Sequence, residues 1–409
     1  MKRLDTLSLL VLALGGFTLM ATMVSGGWHH MFAGETDFLS FYAGGKLAFS
    51  PGLYDLRQVT AIQEGVGIGL GLCFIRMPWF AAAVWPLAHL SYHAAFWIWQ
   101  GLLVGGFAVF LFLWPKPALQ WRLVIVGWSL TSMMSFQIAQ DPALLLAVMA
   151  ISLHLIRKNE PLIAGLVLSL VLAKFHLFLP LFPAVLLARR WKFAAGLYSG
   201  SAFLVGISFL VDGHDWIQRF VSATSNGIEM VKPPSLYPWL GAHLVLFGIA
   251  AVAILGAYLW RASHDLEFLI AAAPVAIIPL LSHVGMYDCP LLLPVAMVAL
   301  ARGSRTAKVL GFLLVCPFTY FLHFTWIAWL VPVVAVALLV TSAAERPLKT
   351  RKETRRSGYR LHLTLLDRSA SERHQFRTRP RRGENSGATL VHNRAQAGAL
   401  CPTKGSAQR

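Results

Sequence analysis

The sequence predicts an all-α fold, a polytopic bundle of about twelve transmembrane helices. Of its 409 residues, 57% are hydrophobic and only 13% are charged. Apolar segments of helix-spanning length recur from Leu7 almost to Ser342, and most polar gaps between them are short. A soluble domain of this size does not have that pattern, so we expect one membrane-embedded domain over residues 1–344.

The basic charge is concentrated at the carboxyl end. The formal net charge is +17, and residues 345–409 contain sixteen Lys or Arg against five Asp or Glu. This tail lacks hydrophobic periodicity, so we expect a disordered cytoplasmic extension that is attracted to membrane lipids. The membrane domain shows no basic excess that would predict a nucleic-acid partner. The four cysteines have neither metal-ligand nor disulfide-framework spacing; they are Cys73, Cys289, Cys316 and Cys401.

The apolar runs give the candidate spans in chain order. A Lys2-Arg3 start precedes an apolar stretch of about eighteen residues without a small-x-small cleavage site, which favours an uncleaved first helix. We interpret 77–92 as a re-entrant or half-helix segment because only then do the basic loops share one side. The candidate spans are 6–25, 93–113, 123–139, 142–156, 161–174, 176–188, 193–211, 238–260, 266–283, 288–301, 309–323 and 325–342.

With twelve crossings, every second loop is basic. The positive-inside rule makes that side cytoplasmic. We therefore expect a cell-membrane protein with both termini on the cytoplasmic side. The opposite, extracytoplasmic side receives the long loops 26–76 and 212–236 and a set of ionisable residues. Because ionisable groups at membrane helices are costly, their clustering predicts a shared polar cavity. This set contains Glu35, Asp37, Gln140, Asp141, Lys174, His176, Asp212, His214, Asp215, His283, Tyr287 and Asp288.

The first long loop contains the strongest catalytic candidate. Residues 35–49 and 51–67 can be written as amphipathic helices that lie along the membrane surface; Phe38 and Tyr42, for example, share a face. Asp37 at the start of the first helix is compatible with two roles. It caps the helix by accepting bonds from exposed amides, or it acts as a general base.

The other polar positions also have two interpretations. Asp141 before Pro142 has the pattern of a helix N-cap followed by proline at the first helical position, which does not account for Gln140. Lys174 either extends to the membrane interface or faces a cavity, where its ammonium would bind a phosphate. His283 is either a satisfied polar residue at a helix end, or it lies beside Asp37 as a proton carrier or as a hydrogen-bond donor to phosphate. No Walker loop, GxGxxG, HExxH, GxSxG or DxD motif is present.

An ordered set of short motifs resembles glycosyltransferase family 87, whose members are membrane-embedded transferases of the C superfamily. The resemblance covers about residues 1–340, and the order of the motifs is more specific than any one of them. It departs from the family at Met77-Pro78, where two prolines are frequent, and at Ala139-Gln140-Asp141, where Gly-Gln-Asn is frequent. The motifs are ETDFLSFYAGG, GLYD, MPWFAAAVWPLAHL, AQDPALLL, LAKFHLFLPLFPAVLLARRWKFAA and SHVGMYDCPLLLP.

The resemblance implies a mannosyltransferase-like enzyme that works without nucleotide, metal or other cofactor. Its implied partners are a polyprenyl-phosphate-linked sugar donor and a lipid or glycan acceptor outside the membrane. Asp37 matches the acidic general base of the family's first loop and would support an inverting single displacement. The implied substrate and donor-phosphate residues are Lys174, His283, Gln140, Arg76, Tyr287 and Asp288.

Two other classes of function are compatible with the residues. In a multi-pass transporter of a lipid or small polar solute, the same buried polar groups would line a path. The lack of paired halves in the sequence disfavours that class. A catalytically silent membrane scaffold is the third possibility.

Overall fold

The computed structural model describes residues 6–225, 233–241 and 243–345. Within these ranges the chain forms α-helices and short 3-10 helices and no β-strand, which confirms the all-α prediction for this part of the chain. The predicted basic tail beyond Glu345, the Lys2-Arg3 start and residues 226–232 of the second long loop lie outside the described residues.

The amino-terminal part begins with a long apolar helix, continues through three short helices in the first long loop and a fourth short helix after it, and ends with a second long apolar helix. The second helix ends at Gly34, whose φ of 80° is the left-handed conformation that glycine adopts without cost. The six helices are α1 (Thr6–Met23), α2 (Ser25–Ala33), α3 (Phe38–Leu47), α4 (Leu56–Gly65), α5 (Pro78–Ala88) and α6 (Tyr92–Leu113).

Helix α3 differs from the predicted surface helix. Every residue of it except Lys46 is buried, and it packs against α4 and α5. The close approach depends on small residues, because a Cβ at Gly44 would clash with the ring of Phe74. The expected exposed face of an amphipathic helix is therefore reduced to Lys46, because both faces of α3 are apolar or small and both can be packed in protein. Its position along the membrane surface stays a prediction.

Helix α4 matches the amphipathic prediction better. Val59 and Gln63 are buried, whereas Leu56 and most of the opposite face are exposed. The Gln63 amide donates to the Leu72 carbonyl at 2.6 Å and accepts from the Leu72 N–H at 3.0 Å. These two bonds fix the loop that leads to α5.

Helix α5 occupies most of the ambiguous segment 77–92. Its eleven residues extend about 16 Å, roughly half of the 30 Å hydrocarbon thickness. This length fits the interpretation of 77–92 as a half-helix rather than a full crossing.

The middle of the chain is interrupted twice by sharp breaks. Helices α8 (Leu130–Gln137) and α9 (Pro142–Arg157) are bent by 118° across residues 138–141. Lys174 has non-helical backbone angles (φ −130°, ψ 57°) inside the 3-10 stretch Ser169–Leu177. The α-helices here are α7 (Leu119–Gly127), α8 (Leu130–Gln137), α9 (Pro142–Arg157), α10 (Pro161–Leu168), α11 (Leu181–Leu187) and α12 (Trp191–Asp212).

The carboxyl-terminal part of the described chain packs around two helices, α16 (Leu266–Ile277) and α20 (Leu330–Ala344). Two 3-10 helices, Ile278–Leu280 and Met286–Leu292, flank the bend that contains His283. The α-helices are α13 (Trp216–Ser225), α14 (Tyr237–Leu240), α15 (Leu244–Ala262), α16 (Leu266–Ile277), α17 (Leu293–Arg302), α18 (Arg305–Val315), α19 (Pro317–Thr325) and α20 (Leu330–Ala344).

Among the described residues, four helices are long and apolar enough to cross a membrane, namely α1, α6, α12 and α15. Counting the bent pairs α8–α9 and α18–α19 as single spans gives six. The prediction of twelve spans is therefore not confirmed. Prolines and polar breaks divide several apolar runs, such as 161–188, into helices shorter than about 20 residues, the length a crossing needs.

Candidate active site

Asp37 lies at the start of α3 and keeps part of its surface exposed. Its backbone N–H donates to the Ile138 carbonyl at 3.1 Å, which joins the first loop to the α8–α9 break. Its side chain makes no capping bond to α3. Instead, its Oδ2 accepts a hydrogen bond from Nε2 of Gln140. Helix capping therefore does not account for this carboxylate.

Gln140 connects Asp37 to two buried cations. Its Oε1 accepts from Lys174 Nζ at 2.9 Å and from Arg76 Nη2 at 3.2 Å. The three residues come from distant parts of the chain: Arg76 precedes α5, Gln140 lies in the α8–α9 break, and Lys174 lies at the kink of the 3-10 stretch. All three are buried.

Two further carboxylates balance these cations. Asp141 Oδ1 lies 2.9 Å from Lys174 Nζ and 3.4 Å from Arg76 Nη2. Asp288 Oδ1 lies 2.6 Å from the same Nζ, and its Oδ2 accepts from the Gly285 N–H at 3.0 Å. The three donors of the Lys174 ammonium thus have three protein acceptors: Gln140, Asp141 and Asp288.

Asp141 differs from the simplest sequence interpretation. Pro142 does occupy the first turn of α9, as predicted, but the Asp141 side chain makes no cap bond. It is 1% exposed and is turned toward the cations instead. The capping interpretation of Asp141 is wrong because ion pairing to Lys174 and Arg76 replaces bonding to the helix amides.

One aromatic ring lies close to each cation. The Arg76 guanidinium carbon lies 5.2 Å from the centroid of Phe41, and Lys174 Nζ lies 5.4 Å from that of Tyr287. The Tyr54 hydroxyl donates to the Arg76 carbonyl at 2.7 Å. Phe41 and Tyr54 also belong to the site, although the sequence alone does not single them out. The available signal is that Phe41 lies in the ETDFLSFYAGG motif and Tyr54 in the GLYD motif.

The environment changes the acidity of Asp37. Burial of the carboxylate raises its pKa above the ordinary value of 3.8, and the nearby Asp288 adds to this rise. The hydrogen bond from Gln140 and the positive charges of Lys174 and Arg76 act in the opposite direction. A carboxylate with a raised pKa is a stronger base than a carboxylate in water.

The structure brings most of the predicted site residues together. Asp37, Arg76, Gln140, Lys174 and Asp288 form one hydrogen-bonded cluster, and the Tyr287 ring contacts it. The half-buried His283 lies in the bend just before Gly285. Both the raised pKa of Asp37 and the paired buried cations are features that concentrate at functional sites.

Comparison with known proteins gives one match. The family model of glycosyltransferase family 87 matches residues 74–282, which is half of the chain. The matched segment includes Arg76, Gln140 and Lys174, whereas Asp37 and Asp288 lie outside it. No curated protein and no solved structure matches the chain. Because the family model matches half of its length, the chain belongs to glycosyltransferase family 87.

Proposed function

We propose that the protein transfers a mannose-like hexose from a polyprenyl-phosphate donor to a lipid or glycan acceptor, with inversion and with Asp37 as general base. The observation that carries this proposal is that Asp37, a residue that is only partly buried, is connected through Gln140 to two buried cations. A base must reach its substrate, and the groups that meet developing charge act best in a desolvated environment.

The proposed reaction is a single displacement. Asp37 accepts the proton of the acceptor hydroxyl while that oxygen forms a bond to the anomeric carbon. The bond from the anomeric carbon to the phosphate oxygen breaks, and its electron pair leaves with the polyprenyl phosphate. The donor phosphodiester carries one negative charge and the product monoester carries two, so the protein must stabilise one additional charge at the phosphate.

Arg76 is the cation best suited to that charge. It is 5% exposed, and its Nε has no hydrogen-bond partner. A buried donor without a partner costs free energy, which an incoming phosphate oxygen would recover. Lys174, whose donors are engaged by the protein, would act on the phosphate through its field, and we place His283, Tyr287 and Asp288 around the same subsite.

The loop charges support the face of the membrane that we propose. Under the positive-inside rule, the basic loops near Lys158 and Arg302 are cytoplasmic, and Asp37 is then extracytoplasmic. We propose a cell-membrane location with both termini inside. A donor that is itself anchored in the membrane suits this position, because nucleotide sugars are made in the cytoplasm.

The donor class is testable with purified protein in lipid vesicles. Radiolabelled polyprenyl-phosphate mannose and a nucleotide-linked mannose are offered separately, together with an extract of membrane lipids as acceptor. We expect a labelled product from the lipid-phosphate donor only, with inverted anomeric configuration. Transfer from the nucleotide sugar, or retention of configuration, would contradict the proposal. Solute flux across the vesicle without any product would favour a transporter.

A further inference from the structure

The side-chain amide of Gln140 is engaged at both ends by protein groups. Its oxygen accepts from Arg76 and Lys174, and its nitrogen donates to Asp37. Cations only donate hydrogen bonds, so they can bond only to the oxygen end of an amide. The two cations therefore determine the orientation of the amide, and the N–H group must point at Asp37.

The cations are themselves held in place. Asp141 Oδ1 contacts both of them, at 2.9 Å from Lys174 and 3.4 Å from Arg76, and Asp288 contacts Lys174 at 2.6 Å. Both carboxylates are at least 95% buried. With every Lys174 donor engaged, this part of the cluster is fixed before any substrate arrives.

We infer that Gln140 is a positioning residue: it links the buried Arg76–Lys174 pair to Asp37, donates a hydrogen bond to that carboxylate and sets its direction. This inference rests on the proposed role of Asp37 as base. Because both ends of its amide are occupied by the protein, Gln140 is not one of the residues that we expect to contact the donor phosphate.

Other groups also act on Asp37. Arg76 and Lys174 favour its ionised form, and Asp288 disfavours it; Tyr287 and Cys73 lie within its electrostatic reach. All of these groups remain when Gln140 is replaced. The loss of the N–H donor alone should therefore raise the pKa of Asp37, because a hydrogen bond to the charged form of an acid favours that form.

The test is an infrared pH titration of the full-length protein in lipid nanodiscs. The carbonyl-stretch band of protonated Asp37 is assigned by its loss in Asp37→Asn. In Gln140→Ala we expect the protonation midpoint of Asp37 to move up by about one pH unit, the size of a typical hydrogen bond to a charged group. In Gln140→Glu the shift should be at least as large, since a second carboxylate replaces the donor.

Gln137 offers a matched control. It is also buried and lies three residues earlier, and its Nε2 donates to the Val24 carbonyl at 2.7 Å, outside the cluster. Gln137→Ala should leave the midpoint of Asp37 unchanged. An unchanged midpoint in both Gln140 variants, or the same shift in Gln137→Ala, would overturn the positioning role.

Transfer assays on the same preparations separate this inference from the proposed function. If Asp37→Asn still transfers sugar, the general-base proposal fails whatever the titration shows. If Asp37→Asn is inactive while the Gln140 variants leave the midpoint of Asp37 unchanged, only the positioning role fails. A donor KM that rises in Gln140→Ala without a shift in the midpoint would make Gln140 a substrate ligand instead.

Discussion

The polar residues of the site lie where helices begin or break. Asp37 precedes α3, Arg76 precedes α5, Gln140 and Asp141 occupy the α8–α9 break, and Lys174 has non-helical backbone angles. In membrane proteins, irregular backbone of this kind is tolerated where it is buried in protein or lines a cavity. Polar residues between apolar runs are visible in a sequence, which is why four of these five were selected as candidate site residues.

The direction of each side chain could not be predicted in the same way. The step Asp141-Pro142 has the same sequence signature whether the carboxylate caps α9 or pairs with cations. The partners that decide the outcome, Arg76 and Lys174, are 65 and 33 residues away in sequence. Only the tertiary fold brings them within 3.4 Å and 2.9 Å of the carboxylate.

Arg76 gives the first prediction. Arg76→Lys keeps the charge but removes Nε and the planar arrangement of donors, so we expect kcat/KM for the lipid-phosphate donor to fall by about 100-fold, the typical effect of losing one charge-stabilising donor. Arg57→Lys, at an exposed position of α4, is the control and should leave kcat/KM unchanged. Equal kinetics in the two variants would remove Arg76 from the phosphate subsite.

Ala139 gives the second prediction. Its φ of 57° is the left-handed conformation, which costs a residue with a Cβ about 1–2 kcal/mol. The family motif that this segment resembles frequently has glycine at this position. Ala139→Gly should leave the melting temperature unchanged or raise it slightly. Ala143→Gly, inside α9, should lower stability by about 1 kcal/mol. Thermal unfolding in detergent measures both, and equal losses would contradict the argument from strain.

At the scale of elements, the sequence predicted which segments are helical better than where they lie. The spacing of Phe38 and Tyr42 correctly predicted a helix, but a helical period shows only that one face is apolar. The small residues Gly44 and Gly45 on α3 permit burial of the remaining surface against Phe74 and α5. Whether neighbouring elements pack against these small residues depends on the rest of the fold.

The contact between α10 and α12 gives a prediction at this scale. A Cβ at Gly196 would clash with the backbone carbonyl of Leu162, whereas one at Gly206, on the same helix, would meet open space. Small residues allow such close helix packing in membranes. Gly196→Ala should destabilise the protein by about 1–3 kcal/mol, and Gly206→Ala should not. Thermal unfolding of both variants provides the comparison, and similar stabilities would contradict the close packing.

At the scale of the whole molecule, composition was sufficient to predict an all-helical membrane protein but not the number of spans. The apolar run 161–188, for example, predicts two crossings. It contains the kink at Lys174, however, and forms shorter helices. Hydropathy measures how apolar a segment is, and not whether protein or lipid surrounds it. The positive-inside argument for the termini therefore stays a prediction.

Cysteine labelling tests that orientation. In a background without the native cysteines, His214→Cys and Lys158→Cys each introduce one thiol at an exposed position. We expect a membrane-impermeant maleimide to label His214→Cys in intact cells and Lys158→Cys only after permeabilisation, because basic loops stay in the cytoplasm. The reverse pattern would place Asp37 on the cytoplasmic face.

The most direct test of the central claim is the turnover of Asp37→Asn. Asparagine has nearly the same shape but cannot take the proton from the hydroxyl group that receives the sugar, so sugar transfer should fall by about 100-fold or more. Membrane insertion and thermal stability should stay normal. Asp215→Asn, at an exposed loop carboxylate paired with His214, should retain wild-type turnover. Undiminished transfer by Asp37→Asn would show that this carboxylate is not the general base.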